Sequence, residues 1–216
     1  MKTKSPLKAN PLRLPGQSLQ KQIDDYFEEQ MLFPYMMALL TVMWAGYEWA
    51  IFLEYMKRPS PLMISIIAVG LVAYATWKVI RGRRKLKMLI QARDGERAVG
   101  QFLEDLRGQG HHVFHDVLGD GFNLDHVVIG PKGVFTVETK TISKPIKGEA
   151  KVSYDGADVR LGGYKPERNP IIQSKAQANW LKEFFLEETG KKVKVQPIVV
   201  YPGWFVESPM GANKEV

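Results

Sequence analysis

The 216-residue sequence contains no cysteine. This absence excludes a disulfide-stabilised scaffold, a zinc site built on thiolates and a catalytic thiol. Histidine is scarce as well, with 4 residues, and His111, His112 and His115 crowd one predicted strand at a spacing that matches no zinc site. Internal repeats and low-complexity tracts are also absent. The composition therefore excludes a collagen-like chain and a wholly disordered chain.

The C-terminal half lacks any excess of positive charge, although the whole chain has a formal net charge of +7. Residues 1–93 carry 14 Lys and Arg against 6 Asp and Glu, whereas residues 94–216 carry 16 against 17. All of the excess belongs to the N-terminal half. The basic character of the chain consequently says nothing about what the C-terminal half binds.

Two long apolar stretches, residues 31–53 and 62–80, dominate the N-terminal half. As helices they would span roughly 35 and 28 Å, close to the hydrocarbon thickness of about 30 Å. Aromatic residues crowd the end of each stretch, as is typical of side chains at the headgroup level. The alternative is a pair of buried helices in a soluble bundle, but the first 90 residues offer no amphipathic partners for it. We therefore expect two transmembrane helices.

These helices are predicted to form a tight antiparallel hairpin, because Pro59-Ser60-Pro61 marks a turn in the short segment between them. Basic residues flank both outer ends: Lys2, Lys4, Lys8, Arg13 and Lys21 before the first helix, and Arg81, Arg83, Arg84, Lys85 and Lys87 after the second. The positive-inside tendency places both termini in the cytoplasm and the loop with Lys57 and Arg58 outside. We expect a two-pass protein of the inner (cytoplasmic) membrane. Its expected partners include the lipid bilayer and either further copies of the chain or other membrane proteins.

Helical and strand patterns alternate in the C-terminal half. They predict a helix that ends at Gly108 and Gly110, strands at 113–117, 123–129 and 134–141, weaker strand segments within 148–163, a helix at 170–189 and a strand at 193–201. Asn169 and Pro170 are typical of a helix start, and Gly190 of a helix end. The predicted organisation is a cytoplasmic segment (1–30), the hairpin, a basic juxtamembrane helix or linker (81–93) and a small α/β domain (94–216).

The turn between Gly130 and Gly133 fixes the pairing of two strands. With these glycines opposite each other, Asp125 faces Glu138, with Cβ atoms about 5 Å apart. Lys140 lies two residues beyond Glu138 and so points to the same face. The two carboxylates and the amine predict a site for a hard divalent cation, Mg²⁺ or Mn²⁺. The alternative is a cross-strand salt-bridge set of the same three residues.

Three segments of this half closely resemble the NERD (nuclease-related) domain: GERAVGQFLEDL, NLDHVVIGPKGVFTVETK and NPIIQSKAQANWL. The resemblance covers about residues 94–203. It implies the restriction-endonuclease-like fold of the PD-(D/E)xK superfamily, with a mixed central sheet flanked by helices. It also implies divalent-metal-dependent hydrolysis of phosphodiester bonds in DNA. The family usually continues with another strand and helix, so the domain is expected to be a fragment or a trimmed form.

The resemblance also implies roles for five residues: Asp125 as the motif aspartate, Glu138 and Lys140 as the ExK motif, Glu96 as the carboxylate of the first helix and Gln173 as the glutamine of the later helix. Asp125 and Glu138 would hold the metal, and Lys140 would orient the attacking water or balance charge. Glu96 would complete the metal shell or hold a metal-bound water, and Gln173 would orient a water or a phosphate. Otherwise Glu96 is a first-turn carboxylate favoured by the helix dipole, and Gln173 is a solvated helix residue.

His126 lies beside Asp125 but points to the opposite face, so we expect it to be packed there rather than to act as a base. The rival function is a non-catalytic membrane adaptor or assembly subunit, in which a nuclease-like fold binds nucleic acid or protein. The set of Asp125, Glu138 and Lys140 argues against that rival, because a binding module has no need of a carboxylate pair.

The hairpin predicts that both chain ends lie in the cytoplasm. Topology reporters fused before Met1 and after Val216 should both give a cytoplasmic signal, because basic residues flank both outer ends of the hairpin. A reporter inserted between Lys57 and Arg58 should give an external signal and serves as the control. An external signal from the fusion after Val216 would contradict the predicted topology.

Overall fold

The computed structural model describes residues 12–55, 61–145, 150–156, 158–166, 168–208 and 216. Several residues used in the topology prediction lie outside the described residues: Lys2, Lys4, Lys8, Lys57, Arg58, Pro59 and Ser60. The chain divides into two compact units. One consists of Leu19–Ile90, and the other of Gln91–Val216 together with the described part of Met1–Ser18.

Four helices and seven strands make up the described chain. The helices are α1 (Gln17–Phe27), α2 (Phe33–Tyr55), α3 (Leu62–Glu104) and α4 (Pro170–Thr189), with a π-helical turn (Glu28–Leu32) before α2 and a 3-10 turn (Asp105–Gln109) after α3. The strands are β1 (His112–Leu118), β2 (Asn123–Gly130), β3 (Gly133–Thr139), β4 (Lys151–Tyr154), β5 (Val159–Leu161), β6 (Val195–Val200) and β7 (Phe205–Glu207).

The two predicted apolar stretches lie in α2 and in the first part of α3. Both helical regions are long and apolar enough to cross a membrane, with mean hydropathies of 1.5 and 1.9 and with 11% of the apolar window buried in each. Trp49 Nε1 donates a hydrogen bond to Ser65 Oγ at 2.7 Å between the two helices. Buried alanines repeat every seven residues on each helix: Ala38 and Ala45, Ala68 and Ala75. Such small side chains let helices approach closely, and the pair is compatible with a membrane anchor.

The helix α3 runs without a break for 43 residues. The sequence pattern suggested three successive pieces here: an apolar helix, a basic helix or linker and the first helix of the domain. The segment contains no proline, and its glycines weaken a helix without ending it. Termination comes only after the 3-10 turn, where Gly110 adopts φ +81° and its N–H bonds to Arg107 O. Gly110 therefore ends the helical segment, as predicted.

A four-stranded mixed sheet, in the order β1-β2-β3-β6, is the centre of the C-terminal unit. The strands β1, β2 and β3 are antiparallel, and β6 runs parallel to β3. Gly130 pairs with Gly133 and Ile129 with Val134, so the predicted register is confirmed. The strand β3 ends at Thr139, two residues before the predicted end, which places Lys140 just beyond the strand.

Helices cover both faces of this sheet. One face packs against α3 through Val99, Val113, Val128 and Val137. The other packs against α4 through Leu124, Val127, Val134 and Leu181. The bounds of α4 are those predicted: Asn169 Oδ1 accepts a hydrogen bond from Ile171 N–H, and Gly190 ends the helix at φ +68°. The mixed α/β architecture expected from the sequence is thus confirmed.

A second sheet, in the order β5-β4-β7, adds to the single sheet that was expected. The strands β4 and β5 lie within the segment predicted to hold weak strands, whereas β7 was not predicted. The pairing of β7 with β4 is parallel and places Phe205 opposite Lys151. The second sheet shares a core with the start of α4 and the residue that follows β6: Val152, Val159, Ile171 and Tyr201.

Gly95 marks a close approach between α3 and the chain that follows β3. A Cβ atom at Gly95 would lie 1.6 Å from Thr141 Oγ1 and 2.6 Å from Thr141 Cβ. We expect Gly95→Ala to lower the free energy of unfolding by about 1–3 kcal/mol, because the backbone must shift to relieve the overlap. Gly108→Ala is the matched control, since a Cβ there meets nothing within 4 Å. Equal melting temperatures for the two variants would contradict the prediction.

Candidate active site

Three carboxylates occupy neighbouring positions across the central sheet. The pairs of β2 with β3 end at His126 and Val137, and the same register continued by one residue brings Asp125 opposite Glu138. In β1 and β2, the pairs His115–His126 and Val117–Leu124 leave Asp116 and Asp125 between them at matching positions. Asp116 and Glu138 are buried, with exposed fractions of 2% and 4%. We call these three residues the carboxylate row. A row of like charges at buried positions requires compensation at each position.

Asp125 receives its compensation from the backbone. Its Oδ2 accepts a hydrogen bond from Thr139 N–H at 2.7 Å. Burial, followed by the charges of Glu138 and Glu96, raises the pKa of Asp125 well above its ordinary value. Thr139 N–H and the Lys140 charge act in the opposite direction but do not offset the rise in pKa. Asp125 thus stands in a region of excess negative charge.

Glu138 is held by side chains from β3 and α4. Its Oε1 accepts hydrogen bonds from Lys140 Nζ and from Gln173 Nε2, both at 2.6 Å. Lys140 Nζ also donates to Gln173 Oε1 at 2.9 Å. The structure therefore brings together three of the residues predicted for the site. The side chain of Gln173 is bound, so the alternative that it is a solvated helix residue is wrong.

Gln177 was not predicted, although it belongs to the same constellation. This residue is buried, and its Nε2 donates to Glu138 Oε2 at 2.6 Å. It lies one helical turn after Gln173 and hence on the same face of α4. The spacing of the two glutamines was therefore a signal in the sequence that could have revealed Gln177.

Glu96 lies in the electrostatic field of the carboxylate row. Burial, and then the charges of Asp116 and Glu138, raise its pKa to about 7, while Lys140 acts to lower it. Because α3 begins at Leu62, Glu96 is in the interior of the helix. The alternative that Glu96 is a first-turn carboxylate favoured by the helix dipole is therefore wrong.

Tyr201 was also missed by the sequence analysis of the site. It directly follows β6, the parallel neighbour of β3. Burial, followed by the charge of Glu138, raises the pKa of Tyr201 to about 12, so its hydroxyl remains protonated near neutral pH. No motif in the sequence distinguishes this tyrosine, because its position depends on the pairing of strands far apart in the chain.

A chain of polar side chains backs the site on the opposite face of β2. Glu104 Oε1 lies 2.6 Å from His115 Nε2, and His115 Nδ1 lies 2.8 Å from His126 Nδ1. His126 Nε2 in turn lies 3.4 Å from Thr139 Oγ1. His126 is buried among these groups, on the face expected for it.

The direction of these hydrogen bonds follows from the carboxylate at one end. Since Glu104 accepts, His115 Nε2 carries a proton, and His115 Nδ1 accepts from His126 Nδ1–H. His126 Nε2 is then free to accept from the Thr139 hydroxyl. Burial, and then repulsion by His115 whenever that ring is protonated, lower the pKa of His126 to about 3, which keeps the His126 ring neutral. Thr139 thus contacts His126 through its side chain and Asp125 through its backbone.

The donor chemistry of the site fits a hard divalent cation. Among the residues that the structure describes, no three His, Asp or Glu side chains form a metal site by themselves. Mg²⁺ commonly keeps several waters and takes only one or two protein carboxylates, together with phosphates of its substrate. Asp125 and Glu138, on adjacent strands and with mutually repelling charges, fit that requirement.

The C-terminal unit is thus a mixed α/β domain with carboxylate, lysine and amide side chains gathered at one site. The sequence profile of the nuclease-related domain family, NERD, matches residues 91–202, which is just over half of the chain. The chain therefore belongs to the NERD family. Comparison with curated proteins and comparison with solved structures each gave no match.

The histidine pair generates a prediction for stability. His115→Phe would leave the buried Nδ1–H of His126 without an acceptor, so we expect the free energy of unfolding to fall by about 1–3 kcal/mol. His112→Phe is the matched control, because the same change is made on β1 at an exposed position. Thermal melts of the two variants measure the difference. An equal loss of stability in both would mean that the hydrogen bond to His126 contributes little.

Proposed function

We propose that this protein is a membrane-anchored, divalent-metal-dependent nuclease that hydrolyses phosphodiester bonds in DNA on the cytoplasmic side of the inner membrane. One observation carries the proposal. In a domain of the NERD family, Asp125 and Glu138 lie opposite each other on adjacent strands, with Lys140 and Gln173 in contact with Glu138. That combination offers two oxygen ligands, a cation and an amide at one place.

Each residue has a distinct role in this proposal. Asp125 and Glu138 would hold the ion, Mg²⁺ or Mn²⁺, and a bound ion would polarise the scissile phosphate and lower the pKa of a water. Lys140 orients the attacking water or balances the negative charge that develops on the phosphate. Glu96 would complete the metal shell or hold a metal-bound water, because it lies in the field of Asp116 and Glu138. Gln173 holds the Glu138 side chain through a hydrogen bond, and it would also orient a water or a phosphate.

The membrane part of the proposal is supported by the two apolar helices and by contacts of the segment that precedes them. Arg13 and Ser18 hydrogen-bond to Asp116, a residue that follows the second apolar helix. The segment before the hairpin and the domain after it therefore belong to one compact unit. A hairpin whose two ends meet in this way has both ends on one side of a bilayer. The basic flanks favour the cytoplasmic side.

A second candidate function is a non-catalytic membrane adaptor or assembly subunit that binds nucleic acid or protein. It is favoured by the contacts of Glu138, since both of its oxygens accept hydrogen bonds from protein side chains. In that arrangement Lys140 and Glu138 form a structural ion pair at 2.6 Å. The expected partners would then be further copies of the chain or other membrane proteins. The two candidates differ in whether a metal binds.

Substitutions at the site separate the two candidates. We expect Asp125→Asn and Glu138→Gln to weaken Mn²⁺ binding and to abolish DNA cleavage, because each removes a charged ligand. Lys140→Ala should keep Mn²⁺ binding, while cleavage falls by about 10²–10³-fold through the loss of transition-state stabilisation. Calorimetric titration with Mn²⁺ measures binding. Plasmid and linear DNA, incubated with Mg²⁺, Mn²⁺ or a chelator, measure cleavage.

Asp120→Asn is the control for these variants, since it makes the same change at an exposed position between β1 and β2. Its Mn²⁺ affinity and cleavage rate should equal those of the wild type. The adaptor function would be favoured if the wild type did not bind Mn²⁺ and if Lys140→Ala unfolded the domain. In that case the carboxylates and the lysine would serve stability alone.

A further inference from the structure

Asp116 combines an unusual backbone conformation with deep burial. Its φ is +50°, and among the described residues no other non-glycine residue has a positive φ. Its exposed fraction is 2%. Such a conformation persists only where the surroundings impose it, and such residues cluster at functional sites. A buried carboxylate also requires partners, so the contacts of Asp116 indicate what it does.

Its partners come from a segment before the first apolar helix. We call residues 12–18 the N-terminal clasp. Asp116 Oδ2 accepts hydrogen bonds from Arg13 Nε at 2.8 Å and Arg13 Nη2 at 2.5 Å. The same oxygen accepts from Ser18 N–H and from Ser18 Oγ, both at 2.9 Å. Two residues of the clasp thus supply four donors to one carboxylate oxygen.

The clasp is also packed closely against α3. A Cβ atom at Gly100 would lie 2.7 Å from Pro15 Cβ, so only glycine leaves room for the clasp at that point. The clasp lies well outside residues 91–202, which match the NERD family. The clasp therefore contacts the domain from outside the matched region, and it precedes the apolar hairpin in the sequence.

A path of hydrogen bonds leads from Asp116 to the candidate site. Asp116 Oδ1 accepts from Asn123 Nδ2 at 3.3 Å, and the main-chain oxygen of Asn123 accepts from Gln177 Nε2 at 3.2 Å. Gln177 Nε2 also donates to Glu138 Oε2 at 2.6 Å. In addition, the pairs His115–His126 and Val117–Leu124 flank Asp116 and Asp125, which occupy matching positions on β1 and β2. Asp116 is thus linked to both proposed metal ligands.

We propose that Arg13 and Asp116 are positioning residues of the site. The clasp holds the Asp116 side chain in place, and Asp116 in turn holds Asn123. Through Asn123 and Gln177, this contact sets the orientation of Glu138. This inference rests on the proposed nuclease function. It makes the segment before the hairpin a part of the nuclease-related domain.

The test measures Mn²⁺ affinity in the full-length protein, purified in detergent, at a temperature well below its melting point. Arg13→Ala should weaken Mn²⁺ binding about tenfold, at the lower end of what the loss of an outer support costs. Lys21→Ala is the matched control, because it removes the same charge at an exposed position of α1. It should leave the affinity unchanged.

A double-mutant cycle distinguishes positioning from general stability. If Arg13 acts through Gln177, then Arg13→Ala should have no further effect on Mn²⁺ affinity in a Gln177→Ala background. Arg13→Ala alone leaves the buried charge of Asp116 unpaired and should lower the melting temperature. The pair Arg13→Ala and Asp116→Asn removes both charges, so it should recover the melting temperature but not the Mn²⁺ affinity.

Three results would overturn the inference, and they differ in what they say about the nuclease function. If the wild type binds Mn²⁺ and Arg13→Ala binds it equally well, the clasp is structural only and the proposed nuclease function stands. If the wild type does not bind Mn²⁺, both proposals fail together. Additive losses of affinity from Arg13→Ala and Gln177→Ala would exclude the path through Gln177.

Discussion

The placement of three carboxylates at neighbouring positions of the sheet, two of them buried, is the constraint on which the rest of the domain depends. Asp116, Asp125 and Glu138 lie on three successive strands. A charge on one of them raises the free energy needed to ionise its neighbours. Leaving a buried charge without a partner costs several kcal/mol, which is a large part of the stability of a small domain. Each carboxylate has its own set of hydrogen-bond donors. Asp116 accepts from an arginine and a serine, Asp125 from a backbone N–H, and Glu138 from a lysine and two glutamines.

The features predicted from the sequence are those determined by residues close together in the chain. The turn between Gly130 and Gly133 sets the register of two strands, and that register alone brings Asp125 opposite Glu138. The bounds of α4 follow from Asn169 at its start and Gly190 at its end. In both cases a few residues have a strong local preference, and the tertiary structure agrees with it.

The features that escaped prediction depend on contacts between distant residues. Arg13 and Asp116 are 103 residues apart, and neither belongs to a motif. The strand β7 has only three residues, too few to display an alternating pattern, and its pairing with β4 is long-range. The continuity of α3 was missed for another reason. A change in composition suggested a boundary, but the segment contains no proline or other residue that would end a helix.

The contact between Arg13 and Asp116 has a consequence for the order of events during synthesis. Arg13 leaves the ribosome first, and Asp116 is made 103 residues later, after both apolar helices. At the usual 5–20 residues per second, Arg13 waits roughly 5–20 s for its partner. Both apolar helices have been synthesised by then. The C-terminal domain can therefore complete its contact with Arg13 only after both apolar helices have been made. In the proposed membrane-anchored protein, that contact also requires both ends of the hairpin to remain on one side of the bilayer.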